Sequence, residues 1–199
     1  MSSLPQRLEG SHRVLDEAAL ARAITRLAHE VVERHPGLEG VVLAGVRTRG
    51  VPIAERLSRT VDGLGHPAPR LAALDLTDYR DDRPRPRVVS EETLLWLSGG
   101  EGHMGTEGAT VIVVDDVFFT GRTLRAALEA LTRHGRPACV ELLVLVDRGH
   151  RELPVRATYV GKNIPTSPGQ RVVVRLREVD GIEGAWLVPA GTGPREGDR

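Results

Sequence analysis

VIVVDDVFFTGRT (residues 111–123) opens with four consecutive β-branched apolar residues, meets two carboxylates at Asp115 and Asp116, and then turns through hydroxyls, a glycine and an arginine. An unbroken Val/Ile run is what a strand buried on both faces requires, and such strands belong to parallel sheets covered by helices. The sequence beyond it, TLRAALEALTRHG (123–135), is helical in spacing, with Gly135 as its C-cap. GVVLAGV (40–46) followed by VPIAERLSRTV (51–61) repeats the order strand, loop, helix, and ACVELLVLVDRG (138–149) is another continuous apolar run with a polar end. RLAALDLTDY (70–79) reads as a strand that RDDRPRPR (80–87) breaks, and RVVVRLREVDG (171–181) as a later one. Asp16 is placed to cap a helix whose Leu20, Ile24, Leu27, Ala28 and Val31 form one apolar stripe, and His35, Pro36 and Gly37 stop it. Strand alternating with helix predicts an α/β fold with a mostly parallel sheet flanked by helices.

The chain of 199 residues is long enough for one ordinary domain with a full core. We expect that domain over 12–181, with flexible ends at 1–11 and 190–199. Its 27 basic and 27 acidic side chains cancel, so net charge argues for neither nucleic acid nor membrane, and any such case depends on where the charges lie. The single cysteine, Cys139, excludes an intramolecular disulfide and a thiolate metal cluster, and reads as core filler. No apolar run reaches the roughly 18 residues of a spanning helix, and MSSLPQRLEG has no signal-peptide core, so a cytoplasmic protein without membrane contact is expected.

In open sheets of this class ligands gather beyond the carboxyl ends of the strands. Those ends here read VRTRG, LTDYRDD, DDVFFTGRT and DRGHRE. Thr120, Gly121, Arg122 and Thr123 fall at a helix N-terminus, where unpaired N–H groups and the helix dipole attract a phosphate. Asp115 and Asp116 would repel that phosphate unless the ligand also carries hydroxyls or a cation, and a ribose phosphate with Mg²⁺ meets both demands. No lysine closes a glycine loop and no G-x-G-x-x-G opens a helix after a strand, so the two commonest nucleotide loops are absent. GVRTRG (45–50) adds two arginines able to grip a pyrophosphate. On residues alone a blander account stays open, in which the acids cap a turn and the arginines are solvated.

The pattern of apolar strand, two acids and a Thr/Gly turn into a helix resembles the type I phosphoribosyltransferases. GVRTRG, DLTDYRDD, VIVVDDVFFTGRT, LVDRGHRELPVRA and YVGKNIPTS, in this order, are similar to the PyrR family, the bifunctional pyrimidine operon regulators and uracil phosphoribosyltransferases. The likeness spans roughly residues 12–180. It implies the type I fold, with a small hood and a flexible loop, and the conversion of uracil and phosphoribosyl pyrophosphate (PRPP) to UMP and diphosphate, with Mg²⁺ bound mainly through PRPP and no protein metal site. By position, Asp115 and Asp116 would hold the ribose, Thr120, Gly121, Arg122 and Thr123 the 5'-phosphate, and Thr48 and Arg49 the pyrophosphate. Asp115, Asp116 and Arg49 are the catalytic candidates, and no general base stands out. The family also implies a cis peptide within VRTR, and a hood near DRGHRE and the strand after it, with Asp147, Arg148 and Val160 as uracil-pocket candidates. VVSEETLLWLSGGEGHMGTEGA (88–109) departs from the family's wording where a flap over the active site is expected.

The same resemblance implies binding of a leader-mRNA stem-loop of pyrimidine genes, promoted by UMP, and a homodimer or higher homo-oligomer. From Val146 to Arg177 there are seven Lys or Arg residues against two acids. Arg22, Arg26 and His29 share one face of the first helix, opposite its apolar stripe. Carried over by position, the RNA candidates are Thr25, Arg26, His29, Arg34, His150, Arg151, Arg156, Lys162 and Thr166. Aromatic residues make up only 3% of the chain, so recognition would lean on phosphates and shape rather than stacking. Two alternatives remain open: a uracil phosphoribosyltransferase without RNA regulation, and a catalytically decayed RNA regulator that only senses nucleotides.

Overall fold

The computed structural model describes residues 8, 10–76 and 105–190. The acid-rich loop at 77–83, residues 88–104 of the expected flap, and the ends 1–7, 9 and 191–199 lie outside the described residues.

Along the chain run β1 (His12–Leu15), α1 (Glu17–Arg34), β2 (Val41–Val46), α2 (Gly50–Gly63), β3 (Arg70–Leu74), β4 (Thr110–Phe118), α3 (Arg122–His134), β5 (Cys139–Asp147), β6 (Tyr159–Asn163), β7 (Arg171–Arg175), α4 (Arg177–Asp180) and β8 (Gly184–Val188). Five strands form a parallel sheet in the order β3-β2-β4-β5-β6, and β1-β8-β7 make a separate antiparallel sheet, the hood. The unbroken apolar runs have the reason expected of them. Ile112 and Val114 of β4 pack with α1 and α2, while Val111 and Val113 pack with α3, so no side of the strand meets water. Each such side chain removed from water contributes about 1.5–3 kcal/mol. Asp16 caps α1 by accepting from the Ala19 N–H at 2.7 Å, and α1 ends at Arg34 before the His-Pro-Gly stop.

Several local expectations change. The strand read at 171–181 ends at Arg175, because Asp180 folds back to accept from the Leu176 N–H at 3.0 Å and closes the single turn α4. The strand after DRGHRE is not hood but β6, the edge of the parallel sheet, since it pairs in parallel with β5. The hood's central strand is instead β8, from a stretch that carries no motif. Cys139 is exposed rather than core, because it begins β5 ahead of that strand's buried run. Gly135 caps α3 in an extended conformation, with no left-handed turn.

Candidate active site

The chain steps from β2 to β3 on one side and from β4 to β5 on the other, so α2 and α3 cover opposite faces of the sheet. Between β2 and β4 the loops diverge and leave a crevice at the carboxyl ends, the usual ligand position in open α/β sheets. Here the two strands also differ in reach. β2 stays paired with β4 only as far as Gly45 opposite Val114, whereas β4 continues along β5 to Phe118 opposite Asp147. Asp115 and Asp116 therefore lie within β4, on the part that projects beyond β2, and both are half-buried. Each orients its own neighbourhood: Asp115 Oδ1 accepts from the Asp116 N–H and Asp116 Oδ1 from the Val117 N–H, both at 2.9 Å.

The loop after β2 carries a cis peptide between Arg47 and Thr48, within the segment where one was expected. The glycines on either side of it set its position. A Cβ on Gly45 would stand 2.5 Å from Val51 Cα, and one on Gly50 would overlap the Val114 carbonyl oxygen. Only hydrogen at these positions lets α2 start directly against β2 and β4 and hold the loop at the crevice. Gly50→Ala is accordingly expected to destabilise the fold by about 2 kcal/mol, because the obstructing atom is backbone and cannot rotate away. Urea unfolding would show an earlier midpoint at constant m-value; an unchanged midpoint would mean that the backbone absorbs the methyl group.

Arg47 and Thr48 are exposed at this rim, and Arg49 is held underneath. The Arg49 guanidinium donates from Nε and Nη2 to the two oxygens of Asp180, at 3.0 and 2.8 Å, with 13% of the arginine side chain and 9% of the aspartate exposed. These bonds raise the Arg49 pKa against the effect of burial, and Asp116 adds further attraction. Burial would lift the Asp180 carboxyl, but the bonds from Arg49, the Leu176 N–H and Arg175 outweigh it and hold the pKa at about 2.

Beyond β4 the chain turns into α3. Gly121 caps α3 at φ +93°, a conformation disfavoured for side-chain-bearing residues, and its missing Cβ leaves room for Val155 and Leu153. Among the described residues the first-turn N–H groups of Thr123 and Leu124 have no hydrogen-bond partner, while the Arg122 N–H is 3.4 Å from Thr120 Oγ1. Arg122 points to Glu152, with contacts of 3.0 and 2.6 Å. The Thr120 carbonyl accepts from the N–H groups of Glu152 and Leu153, which fastens the turn to the segment after β5.

The junction of β5 with that segment also supplies the two buried base-pocket candidates. Arg148 lies with its guanidinium 3.7 Å from the centroid of Phe119 and donates from Nη2 to the Gln170 carbonyl at 2.7 Å. Asp147 accepts from the Gly149 N–H at 3.0 Å and pairs with Arg151. Val160 sits in β6 beside Val144, its side chain packs partly buried against the core on the α3 face, and its carbonyl accepts from Arg26. Phe119, Asp180 and Glu152 had no assigned role in the sequence. Phe119 lies inside the motif and could have been singled out, whereas nothing near 180 in the sequence connects that residue to Arg49.

The basic candidates form two groups joined by β6. Thr25, Arg26 and His29 are exposed on α1, and Arg26 Nη2 donates to the carbonyls of Val160 and Gly161 at 3.0 and 2.6 Å, capping the sheet's open edge. Lys162 is exposed on the same strand. Past its end, Thr166 donates to the Arg148 carbonyl at 3.3 Å, and its own carbonyl lies 2.6 Å from His150 Nε2. Arg151 and Arg156 are exposed nearby in sequence. Arg34 is committed elsewhere: its Nε donates to Glu141 at 2.7 Å.

The family of the phosphoribosyl transferase domain matches residues 10–178. A protein of Roseiflexus sp. (strain RS-1) named Bifunctional protein PyrR is 46% identical over 184 residues, covering 90% of this chain and 96% of that protein. One of the same name from Bacillus pumilus (strain SAFR-032) is 49% identical over 168 residues, covering 84% and 91%. Among solved structures, a hypoxanthine phosphoribosyltransferase from Staphylococcus aureus is similar with a TM-score of 0.66 at 18% identity, over 96% of this chain and 98% of that one. The enzyme of that name from Trypanosoma cruzi has a TM-score of 0.64 at 18% identity, over 89% and 96%; at this identity the likeness is one of fold.

Proposed function

Because the chain belongs to the phosphoribosyltransferase family, and within it to the PyrR proteins, we propose that it converts uracil and PRPP to UMP and diphosphate and, with uridine nucleotide bound, binds leader mRNA of pyrimidine genes. One observation carries the catalytic half. β4 projects Asp115 and Asp116 past β2 into the crevice, directly before a helix N-terminus with open N–H groups. Carboxylates alone would suit a cation and an open helix end alone an anion; side by side they suit one ligand that is a hydroxylated sugar with a phosphate.

In this reading the turn Thr120–Thr123 binds the 5'-phosphate, with Gly121 allowing close approach, and the acid pair orients the ribose hydroxyls. Thr48 and Arg49 take the pyrophosphate. Asp147 and Arg148 close the base side, with Val160 of β6 beside them. Among the described residues no group of three or more His, Cys, Asp or Glu could hold a metal ion. Two adjacent carboxylates fit a Mg²⁺ that keeps most of its coordination to substrate oxygens and water. When bound, it supplies charge neutralisation at the pyrophosphate. The bond from the anomeric carbon to pyrophosphate breaks with positive charge developing on the ribose, so the chain contributes chiefly by positioning and by stabilising the departing anion. A direct assay is UMP formation from uracil and PRPP with Mg²⁺; binding of UMP without turnover would favour the decayed regulator.

The regulatory half is supported by the continuity of α1, β6 and the 148–166 segment, and by the packing of that segment on the phosphate turn. A homodimer would extend this basic surface. Filter binding to the leader RNA of its own pyrimidine genes should show specific retention that UMP strengthens. Lys162→Ala should weaken it and flatten the salt dependence of log K by about one, leaving UMP formation unchanged. RNA affinity that ignores UMP and sequence would leave the enzyme without the regulator.

A further inference from the structure

Arg49 reaches the crevice from the loop after β2, yet its guanidinium is anchored to the hood. Asp180 takes the side edge of the fork, Nε with Nη2, and is itself fixed by Arg175 Nη1 at 2.6 Å and by the Leu176 N–H at 3.0 Å. An arginine has five N–H donors in a planar fork, and a carboxylate held side-on leaves the end edge, formed by Nη1 and the second N–H of Nη2, for another oxyanion. Arg49 Nη1 makes no hydrogen bond among the described residues. A second arginine secures the same part of the hood independently. Arg56 of α2 pairs with Glu178 at 2.7 Å and Glu183 at 2.5 Å, on either side of Asp180 in the sequence. The hood is therefore already held to α2 without Arg49, and the Arg49–Asp180 pair is free for another purpose.

We propose that Asp180 is a positioning residue for phosphoribosyl transfer: by holding the side edge of Arg49 it aims the end edge at the pyrophosphate of PRPP and keeps that arginine from collapsing onto Asp116. The proposal rests on the phosphoribosyltransferase reading given above. It also changes what Arg49 does, since the arginine cannot offer its full fork to the ligand and serves instead as a shared donor between hood and substrate. Asp180 touches no substrate and acts only through Arg49.

The test is a cycle of Asp180→Asn, Arg49→Ala and the double variant, with Glu178→Gln as a hood control, in the full chain. Steady-state kinetics would be combined with calorimetry of Mg²⁺–PRPP and of UMP, which lacks the pyrophosphate. Asp180→Asn should lower kcat/KM for PRPP by roughly tenfold to a hundredfold. The uracil KM and UMP affinity should hold, Glu178→Gln should match wild type, and the double variant should be no worse than Arg49→Ala. Additive losses in the double variant, an equal loss of UMP affinity, a comparable loss in Glu178→Gln, or wild-type kinetics in Asp180→Asn would each overturn the proposal. If the wild-type chain binds PRPP without turning it over, the enzymatic reading fails but the positioning role is still decided by whether Asp180→Asn weakens PRPP relative to UMP. Absence of PRPP binding in the wild type would remove both.

Discussion

Replacing Asp115 and Asp116 together by asparagine should lower kcat/KM for UMP formation by about a thousandfold while leaving the unfolding midpoint close to that of the wild type. The amide keeps the volume of each side chain and an oxygen that can still accept from the N–H groups of Asp116 and Val117, the bonds that shape this part of β4. Both charges are lost where positive charge would develop on the ribose, and a preorganised electrostatic contact of this kind is worth about 3–4 kcal/mol. Near-normal rates would overturn the roles given to the pair. A large fall in thermal stability would instead show that their part in the fold outweighs their part in chemistry.

A second large effect lies at the opposite end of the sheet. Glu141, near the start of β5 and only 5% exposed, accepts from Arg34 Nε at 2.7 Å, His35 Nε2 at 2.9 Å and the Tyr159 hydroxyl at 2.7 Å. The carboxylate thus ties the end of α1 to β5 and β6. Burial would raise its pKa, but the bonds from His35, Tyr159 and Arg34 prevail and hold it below the usual 4.5. For Tyr159, burial and the bond to Glu141 push the pKa far up, so the hydroxyl keeps its proton and remains a donor. Glu141→Ala should cost about 3 kcal/mol, as a buried hydroxyl loses its acceptor and a cavity opens beside it. Because the folded-state pKa is depressed, the ionised carboxylate's contribution is present above about pH 4.5 and fades as pH falls through the lower folded value. The stability gap between wild type and Glu141→Gln should therefore narrow on acidification below pH 4.5. A gap that stays constant with pH would mean that the charge contributes nothing beyond the hydrogen bonds an amide can make.

Much of the scaffold was legible because its signals are local. Unbroken apolar runs at 41–46, 111–114 and 142–146 can be satisfied only by strands covered on both faces, and they place a parallel sheet with little ambiguity. The turn into α3 was legible for the same reason, since glycine at φ +93° followed by a helix start is a property of a few adjacent residues. The motif order carried the family likeness, which the relatives at 46% and 49% identity bear out. What stayed hidden depends on partners distant in sequence. Whether RVVVRLREVDG continued as strand turned on one carboxylate folding back. The assignment of β6 to the main sheet rather than the hood turned on pairing with β5, and the loss of Cys139 from the core on its place at a strand's first residue.

The chain's own order of residues thus sets the strands, the helix caps and the placing of two acids just before a glycine-capped helix start, because backbone sterics, burial and hydrogen-bond capping act over a few residues at a time. The folded structure adds the difference in length between β2 and β4 that opens the crevice, the attachment of Arg26 to the edge of β6, and the hold of Asp180 on Arg49 across 131 positions of chain. Contacts of that span have no periodic or neighbour signal in the sequence, since a salt bridge requires only that two charges meet in space.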